Sequence, residues 1–176
     1  MVAYAVLWRL ILRRRFAGSW LPTLTHELTH GLFALLTGHR IVGLKATWHE
    51  GGELRFSGGP GNWLISIAPY VFPLALVISA PLLSLFAPDN TLRLALLGLI
   101  CGFEAVAMWR QVHRQQTDLQ RVGWLFVALF VPGALLWTYG AGLVLVHQGA
   151  SAAVAFGWAQ AQAHSAWLSG VVVGLM

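Results

Sequence analysis

Hydrophobic residues in this chain form long runs that short polar stretches interrupt. Each run is close to or longer than the roughly 20 residues that an α-helix needs to cross the hydrocarbon core of a bilayer. Five such runs are found: 16–36, 63–86, 92–109, 122–146 and 152–176. The fifth is the weakest, because Gln160, Gln162 and His164 dilute it. The pattern predicts an all-α polytopic membrane protein with a single domain, 1–176, and about five transmembrane helices.

Two segments depart from the continuous helical pattern. Residues 40–61 contain two stretches typical of short strands, Lys45 to His49 and Glu53 to Phe56, on either side of Gly51-Gly52. This arrangement predicts a short β-hairpin between the first and second helices. In the second run, three prolines predict kinks or a broken helix, because proline cannot donate a backbone hydrogen bond. They are Pro69, Pro73 and Pro81.

The composition supports a membrane environment and excludes several other classes. The 176 residues are 57% hydrophobic and only 10% charged, whereas charged residues make up about one quarter of an ordinary soluble domain. The net charge of +5 lies in short groups between apolar runs, which fits membrane flanks better than nucleic acid. Cys101, the single cysteine, excludes a disulfide framework. Arg13 to Arg15 follow an apolar stretch instead of preceding it, so no cleaved leader is expected.

The sequence His26-Glu27-Leu28-Thr29-His30 is an H-E-x-x-H motif inside the first apolar run. Residues four apart on an α-helix lie on the same face, so both imidazoles can bind one Zn²⁺. The Glu27 carboxylate is then close enough to take a proton from a water molecule that the metal activates. The motif predicts a metal-dependent hydrolase with His26 and His30 as zinc ligands and Glu27 as the base.

The polar side chains of the first helix are predicted to share one face. Thr23, His26, Glu27 and His30 fall on that face, and leucines 24, 28, 32 and 35 take the other side. A polar group in a membrane span is costly unless it faces protein, metal or water, so the polar face is predicted to point inward. A structural hydrogen-bond network and a proton relay are the alternatives, but the motif spacing favours zinc.

A third protein ligand is expected from a distant part of the chain, which leaves the fourth position of the metal open for water. The candidates are Glu104, Asp118 and His113. Glu104 lies mid-span, at a depth similar to that of His26, and depth alone favours Glu104. Asp118 lies in a polar stretch between Arg114 and Arg121, where a solvated loop carboxylate is the alternative interpretation. Taken by themselves, these residues leave the choice between Glu104 and Asp118 open.

Two segments resemble the signature of the site-2 protease family of intramembrane zinc metalloproteases, in its small single-domain branch. They are Thr25 to Gly31, which contains the motif, and Ala34-Leu35-Leu36-Thr37-Gly38. Residues 116–123 are similar to the family segment that carries the third metal ligand, which implies Asp118. Leu119 stands where better-known members have a glycine after the aspartate.

The resemblance covers most of residues 19–130 and implies the chemistry of an intramembrane protease. The residues that it implies as ligands of one Zn²⁺ per chain are His26, His30 and Asp118, with Glu27 as the catalytic base. Asn62 resembles an asparagine that family members place near the active site, so it is a candidate for substrate binding. A helix cap is the alternative role for Asn62. The hairpin matches in position the β-loop that is thought to hold substrate in extended form in this family.

The predicted function is intramembrane hydrolysis of peptide bonds in membrane-anchored proteins or peptides. The expected partners are the lipid bilayer and such a substrate, without nucleic acid, and the expected location is the bacterial cytoplasmic membrane. Two other classes stay open. One is a catalytically inactive metal-binding membrane scaffold. The other is a small proton-coupled transporter that uses Glu104 and the histidines as a relay, although the sequence shows none of the internal repeats common in transporters.

Overall fold

The computed structural model describes residues 20–47, 51–59, 61–86 and 89–174, together with residues 2, 6 and 9. The described chain forms seven helices and one two-stranded sheet. The elements in chain order are α1 (Trp20–Leu36), β1 (Arg40–Ala46), β2 (Gly52–Ser57), α2 (Trp63–Val71), α3 (Leu74–Phe86), α4 (Asn90–Gln111), α5 (Thr117–Val122), α6 (Trp124–Gln148) and α7 (Ala150–Gly174). The Arg13 to Arg15 cluster and residues 16–19 of the first predicted span lie outside the described residues.

Strands β1 and β2 form the predicted antiparallel hairpin between the first two helices. At the turn, Gly51 adopts a φ of 84°, a conformation that glycine accepts more easily than other residues. The first strand differs from the prediction, because it begins at Arg40 instead of Lys45 and ends at Ala46. The β-branched pair that follows Arg40 favours extended structure once β2 provides a hydrogen-bonding partner. Residues 48 and 49 of the predicted strand lie outside the described part of the chain.

The second apolar run is a broken helix, as its prolines predict. Helices α2 and α3 meet at Phe72 and Pro73 with a bend of 66°. Proline has no backbone N–H and its ring clashes with the preceding turn, so a continuous helix cannot pass through Pro73. Pro69 and Pro81 lie inside α2 and α3 without ending them.

Side chains from two other helices satisfy the backbone groups that this break exposes. Glu104 of α4 accepts hydrogen bonds from the amides of Ala75 at 2.6 Å and Leu76 at 3.3 Å, in the first turn of α3. Thr138 of α6 donates its hydroxyl to the carbonyl oxygen of Val71, at the end of α2. Unpaired backbone groups are costly in an apolar interior, so these contacts stabilise the break.

Two clusters of buried apolar side chains hold the helices together. The first joins α2, α5 and α6 through Ile67, Tyr70, Val71, Leu119, Val127 and Val131. The second joins α3, α4 and α6 through Leu76, Leu83, Leu97, Cys101 and Val146. Cys101 is a free, buried thiol in this second cluster. The short helix α5 is thereby fixed against α2, close to the carboxyl end of α4.

Length and hydropathy identify the helices that can cross a membrane. Residues 91–111 and 124–148 qualify as single helices, and the bent pair of α2 and α3 is a third span if it is counted as one. The outer surface agrees, because apolar side chains such as Leu125, Leu129 and Leu136 of α6 are more than 70% exposed. Together with the apolar helices, such a surface is typical of a protein that contacts lipid. The protein is therefore a membrane protein, whereas crossing by α1 and α7 stays a prediction.

Candidate metal centre

Helix α1 turns its polar face into the protein. His26, Glu27 and His30 are each 7% exposed, whereas Leu28 and Leu35 are 40% and 55% exposed. The His26 and His30 rings pack edge to face with centroids 4.7 Å apart, as residues one turn apart on a helix can. The inward orientation predicted for the polar face is confirmed for His26, Glu27 and His30, whereas Thr23 is half-buried.

Asp118 approaches the two histidines from α5. Helix α4 ends at Gln111, residues 112–116 form a turn, and α5 then begins one residue before Asp118. The Asp118 Oδ2 atom lies 3.2 Å from His30 Nε2 and 3.8 Å from His26 Nε2, and the two Nε2 atoms are 3.2 Å apart. Among the described residues, these three form a group of side chains that could hold a metal ion.

The outer nitrogen of each imidazole is held by a hydrogen-bond acceptor. His30 Nδ1 lies 2.7 Å from the carbonyl oxygen of Ile65, which can only accept, so Nδ1 carries the proton. His26 Nδ1 lies 2.8 Å from Gln111 Oε1, and the amide nitrogen of Gln111 donates to the carbonyl oxygen of Pro22 at 3.1 Å. In its neutral form, each imidazole therefore directs the lone pair of Nε2 towards Asp118.

This donor set fits a cation and matches zinc. Two imidazole lone pairs and a carboxylate oxygen are all acceptors, and their mutual approach is favourable only around a positive charge or a proton. Ligand atoms at about 2.0–2.1 Å from a tetrahedral Zn²⁺ lie roughly 3.3 Å from one another. The distances between the Nε2 and Oδ2 atoms of His26, His30 and Asp118 span 3.2 to 3.8 Å. Two histidines and one carboxylate leave a position open, as in hydrolytic zinc sites.

The histidines also determine the charge state of Asp118. Partial burial raises the pKa of the Asp118 carboxyl, but His26 and His30, when they carry a proton on Nε2 as well, outweigh this effect through hydrogen bonds and charge and hold the pKa below its usual range. Asp118 is therefore ionised at neutral pH, which is the form that binds a metal.

The general base predicted from the motif, Glu27, lies between the histidines and the hairpin. Its carboxylate accepts a hydrogen bond from the backbone amide of Leu54 in β2. A Cβ atom built on Gly52 would overlap the Glu27 side chain, so β2 passes close to this carboxylate because residue 52 is glycine. The hairpin thereby restricts the position of Glu27 beside the histidine pair.

A cleft of about 260 Å³ opens over these groups. Residues from α1, β2, α2 and α5 line it, including Glu27, His30, Leu54, Phe56, Asn62 and Asp118. Asn62 is also the N-cap of α2, where its Oδ1 accepts from the Ile65 amide at 3.1 Å. The structure thus shows the capping role of Asn62 and places its side chain at the cleft.

The other two candidates for a third ligand lie elsewhere. Glu104 binds the first amides of α3, and His113 is exposed in the turn between α4 and α5. The depth argument for Glu104 does not hold, because a similar depth along two helices does not bring two side chains to the same face. Of the carboxylates considered from the sequence, Asp118 is the one that reaches the histidines.

Several residues of the site were not identified from the sequence. Gln111 and the Ile65 carbonyl orient the imidazoles, and Gly52 and Leu54 contact Glu27. A glutamine at a helix end and a backbone carbonyl carry no pattern that marks them. The glycine of a predicted turn was the one available signal, and it indicated only the turn.

Comparison with protein families gives a match that covers the whole chain. The family model described as Peptidase M50B-like matches residues 1–176. Searches of curated proteins and of solved structures found no match.

Proposed function

The chain belongs to the Peptidase M50B-like family, and from this premise we propose that it is an intramembrane zinc metalloprotease. Its proposed reaction is hydrolysis of peptide bonds in membrane-anchored proteins or peptides, in the bacterial cytoplasmic membrane. One observation carries the proposal, namely the convergence of acceptor atoms from His26, His30 and Asp118. It is supported by the position of Glu27, which lies next to His26 and lines the same cleft as Asp118.

His26, His30 and Asp118 are the residues that would hold one Zn²⁺ per chain. When bound, the ion supplies Lewis-acid chemistry, because it lowers the pKa of water towards about 7 and polarises a peptide carbonyl. The protein contributes neutral imidazoles whose proton lies on Nδ1, away from the cluster. It also contributes one ionised carboxylate, which partly neutralises a divalent cation.

Glu27 is the proposed general base. It takes a proton from the attacking water and later returns it to the amine of the departing peptide. The Leu54 amide and the close backbone of Gly52 restrict the side chain, so the carboxylate is already oriented before substrate arrives.

The cleft is the proposed site for an unwound substrate. A transmembrane helix hides its peptide bonds in backbone hydrogen bonds, so the substrate segment must become extended before attack. β2 lines the cleft from Gly52 to Phe56, and an extended segment along it would gain main-chain hydrogen bonds by strand addition. Asn62 binds the α2 amide through Oδ1, which leaves its amide nitrogen as the proposed donor to substrate.

Cleavage by the purified protein tests this function. The full chain is reconstituted in vesicles with a membrane-anchored reporter peptide, and the wild-type protein is compared with Glu27→Gln. Cleavage should fall by about two orders of magnitude or more, because glutamine keeps the size of the side chain but removes the base, while the bound zinc is retained.

Asp89→Asn is the matched control, since it also converts a carboxylate to an amide but lies at the N-cap of α4. Asparagine caps a helix as well as aspartate does, so cleavage should be unchanged. Equal cleavage by wild type and Glu27→Gln would overturn the assignment of the base. Stoichiometric zinc without cleavage of any membrane-anchored reporter would instead favour the metal-binding scaffold.

A further inference from the structure

Gln111 connects the end of α4 to the start of α1 at the metal centre. Its Oε1 lies 2.8 Å from His26 Nδ1, and its Nε2 donates to the Pro22 carbonyl oxygen at 3.1 Å. We propose that Gln111 is the positioning residue for His26. Gln111 holds the His26 imidazole in the tautomer that presents a free Nε2 lone pair to the metal. This inference rests on the proposed function, because it assumes that His26 binds a metal.

The contact with Pro22 determines which way the Gln111 amide points. A backbone carbonyl only accepts, so the NH₂ group of Gln111 must face Pro22 and its oxygen must face His26. An amide oxygen also only accepts, so His26 must carry its proton on Nδ1. With Gln111 in place, the reversed tautomer would put two acceptors against each other at 2.8 Å. The proton is thereby kept away from the face that meets Asp118.

The two histidines are oriented by different kinds of group. His30 depends on the main-chain carbonyl of Ile65, which no side-chain substitution removes. His26 depends on the side chain of Gln111, 85 positions away. Gln111 is therefore the position at which the orientation of one proposed ligand can be changed without altering any metal-binding atom.

Gln111 also lies where α4 ends and the turn that leads to Asp118 begins. A replacement that cannot form hydrogen bonds would lose the contact with His26. It would also lose the contact with Pro22, which links α1 to this turn. Outer hydrogen-bond partners of metal-binding histidines typically contribute 10- to 100-fold to metal affinity. We expect a loss of this size from a change at Gln111.

The test measures Zn²⁺ affinity of the full-length protein in detergent by competition with a chelating dye. Gln111→Leu should bind zinc about 10- to 100-fold more weakly than wild type. Gln111→Glu keeps an acceptor for His26 Nδ1, so it should recover most of the affinity that the leucine variant loses. Binding of Co²⁺ gives a second reading, because the visible absorption bands report ligand geometry and should shift in Gln111→Leu and return in Gln111→Glu.

Gln120→Leu is the matched control, since Gln120 donates to the Arg114 carbonyl oxygen and is exposed. It should bind zinc as wild type does. Wild-type affinity and Co²⁺ bands in Gln111→Leu would overturn the role of Gln111 while leaving the proposed function intact. A wild-type protein without stoichiometric zinc would overturn the metal site, and this inference with it. Equal losses in the leucine and glutamate variants would show that Gln111 acts through packing alone, against the proposal.

Discussion

Asp118 Oδ2 lies 3.2 Å from His30 Nε2, although 88 positions separate the two residues. The next residue in the chain, Leu119, explains how this contact is held. Leu119 is fully buried and packs in the cluster that joins α5 to Ile67 and Tyr70 of α2. Because Leu119 fixes α5 by apolar burial, Asp118 is presented to the histidines from a short helix. Leu119, which directly follows Asp118, thus has a structural role in this chain.

We expect one Zn²⁺ per chain in the purified protein. His26→Ala and His30→Ala should each lose stoichiometric zinc, since two remaining protein ligands bind a divalent ion weakly. Metal analysis after gel filtration provides the measurement, and His164→Ala is the control because this exposed side chain binds the Gln160 carbonyl of its own helix. Removal of zinc by a chelator should stop cleavage, and its return should restore it. Zinc retained at full stoichiometry in both alanine variants would contradict the site.

Asp118→Ala should lower metal binding, whereas Glu104→Ala should lower stability. Loss of Asp118 removes a proposed ligand, so zinc affinity should drop and cleavage should cease. Loss of Glu104 leaves the amides of Ala75 and Leu76 without their acceptor, at a cost of about 1–3 kcal/mol in the free energy of unfolding, while zinc stays bound. Zinc titration and thermal unfolding of both variants separate these results. A reversed pattern would transfer the ligand role to Glu104.

Gly52→Ala should impair cleavage without removing zinc. The added methyl group would overlap the Glu27 side chain, which must then move, and a misplacement of about 1 Å can cost roughly 10²-fold in rate. Gly43→Ala in the same hairpin is the control, because a Cβ there would meet only Arg55 Nε at an ordinary 3.8 Å. Cleavage rate and zinc content are measured on both variants. Equal rates for the two would mean that the approach of β2 to Glu27 is unimportant for the reaction.

Local rules account for the elements that the sequence predicts correctly. The hairpin follows from two strand-like stretches around Gly51-Gly52, and the broken second run follows from the inability of Pro73 to continue a helix. Local rules were less accurate at the start of β1. The residues after Arg40 form a strand because β2 lies beside them, and a pairing partner is not visible in the residues themselves.

The sequence by itself determined the part of the site that lies within one helix. Spacing of four residues places His26 and His30 on one face, and the cost of polar groups in lipid turns that face inward. Tertiary structure decided which distant groups contact the face of α1 that carries His26 and His30. Glu104 and Asp118 were both acceptable by residue type, and depth alone favoured Glu104, but Glu104 binds the backbone of α3 while α5 brings Asp118 to the histidines. The reason is physical, since helical periodicity acts over one or two turns, whereas contacts across 85 or more residues depend on how whole helices pack.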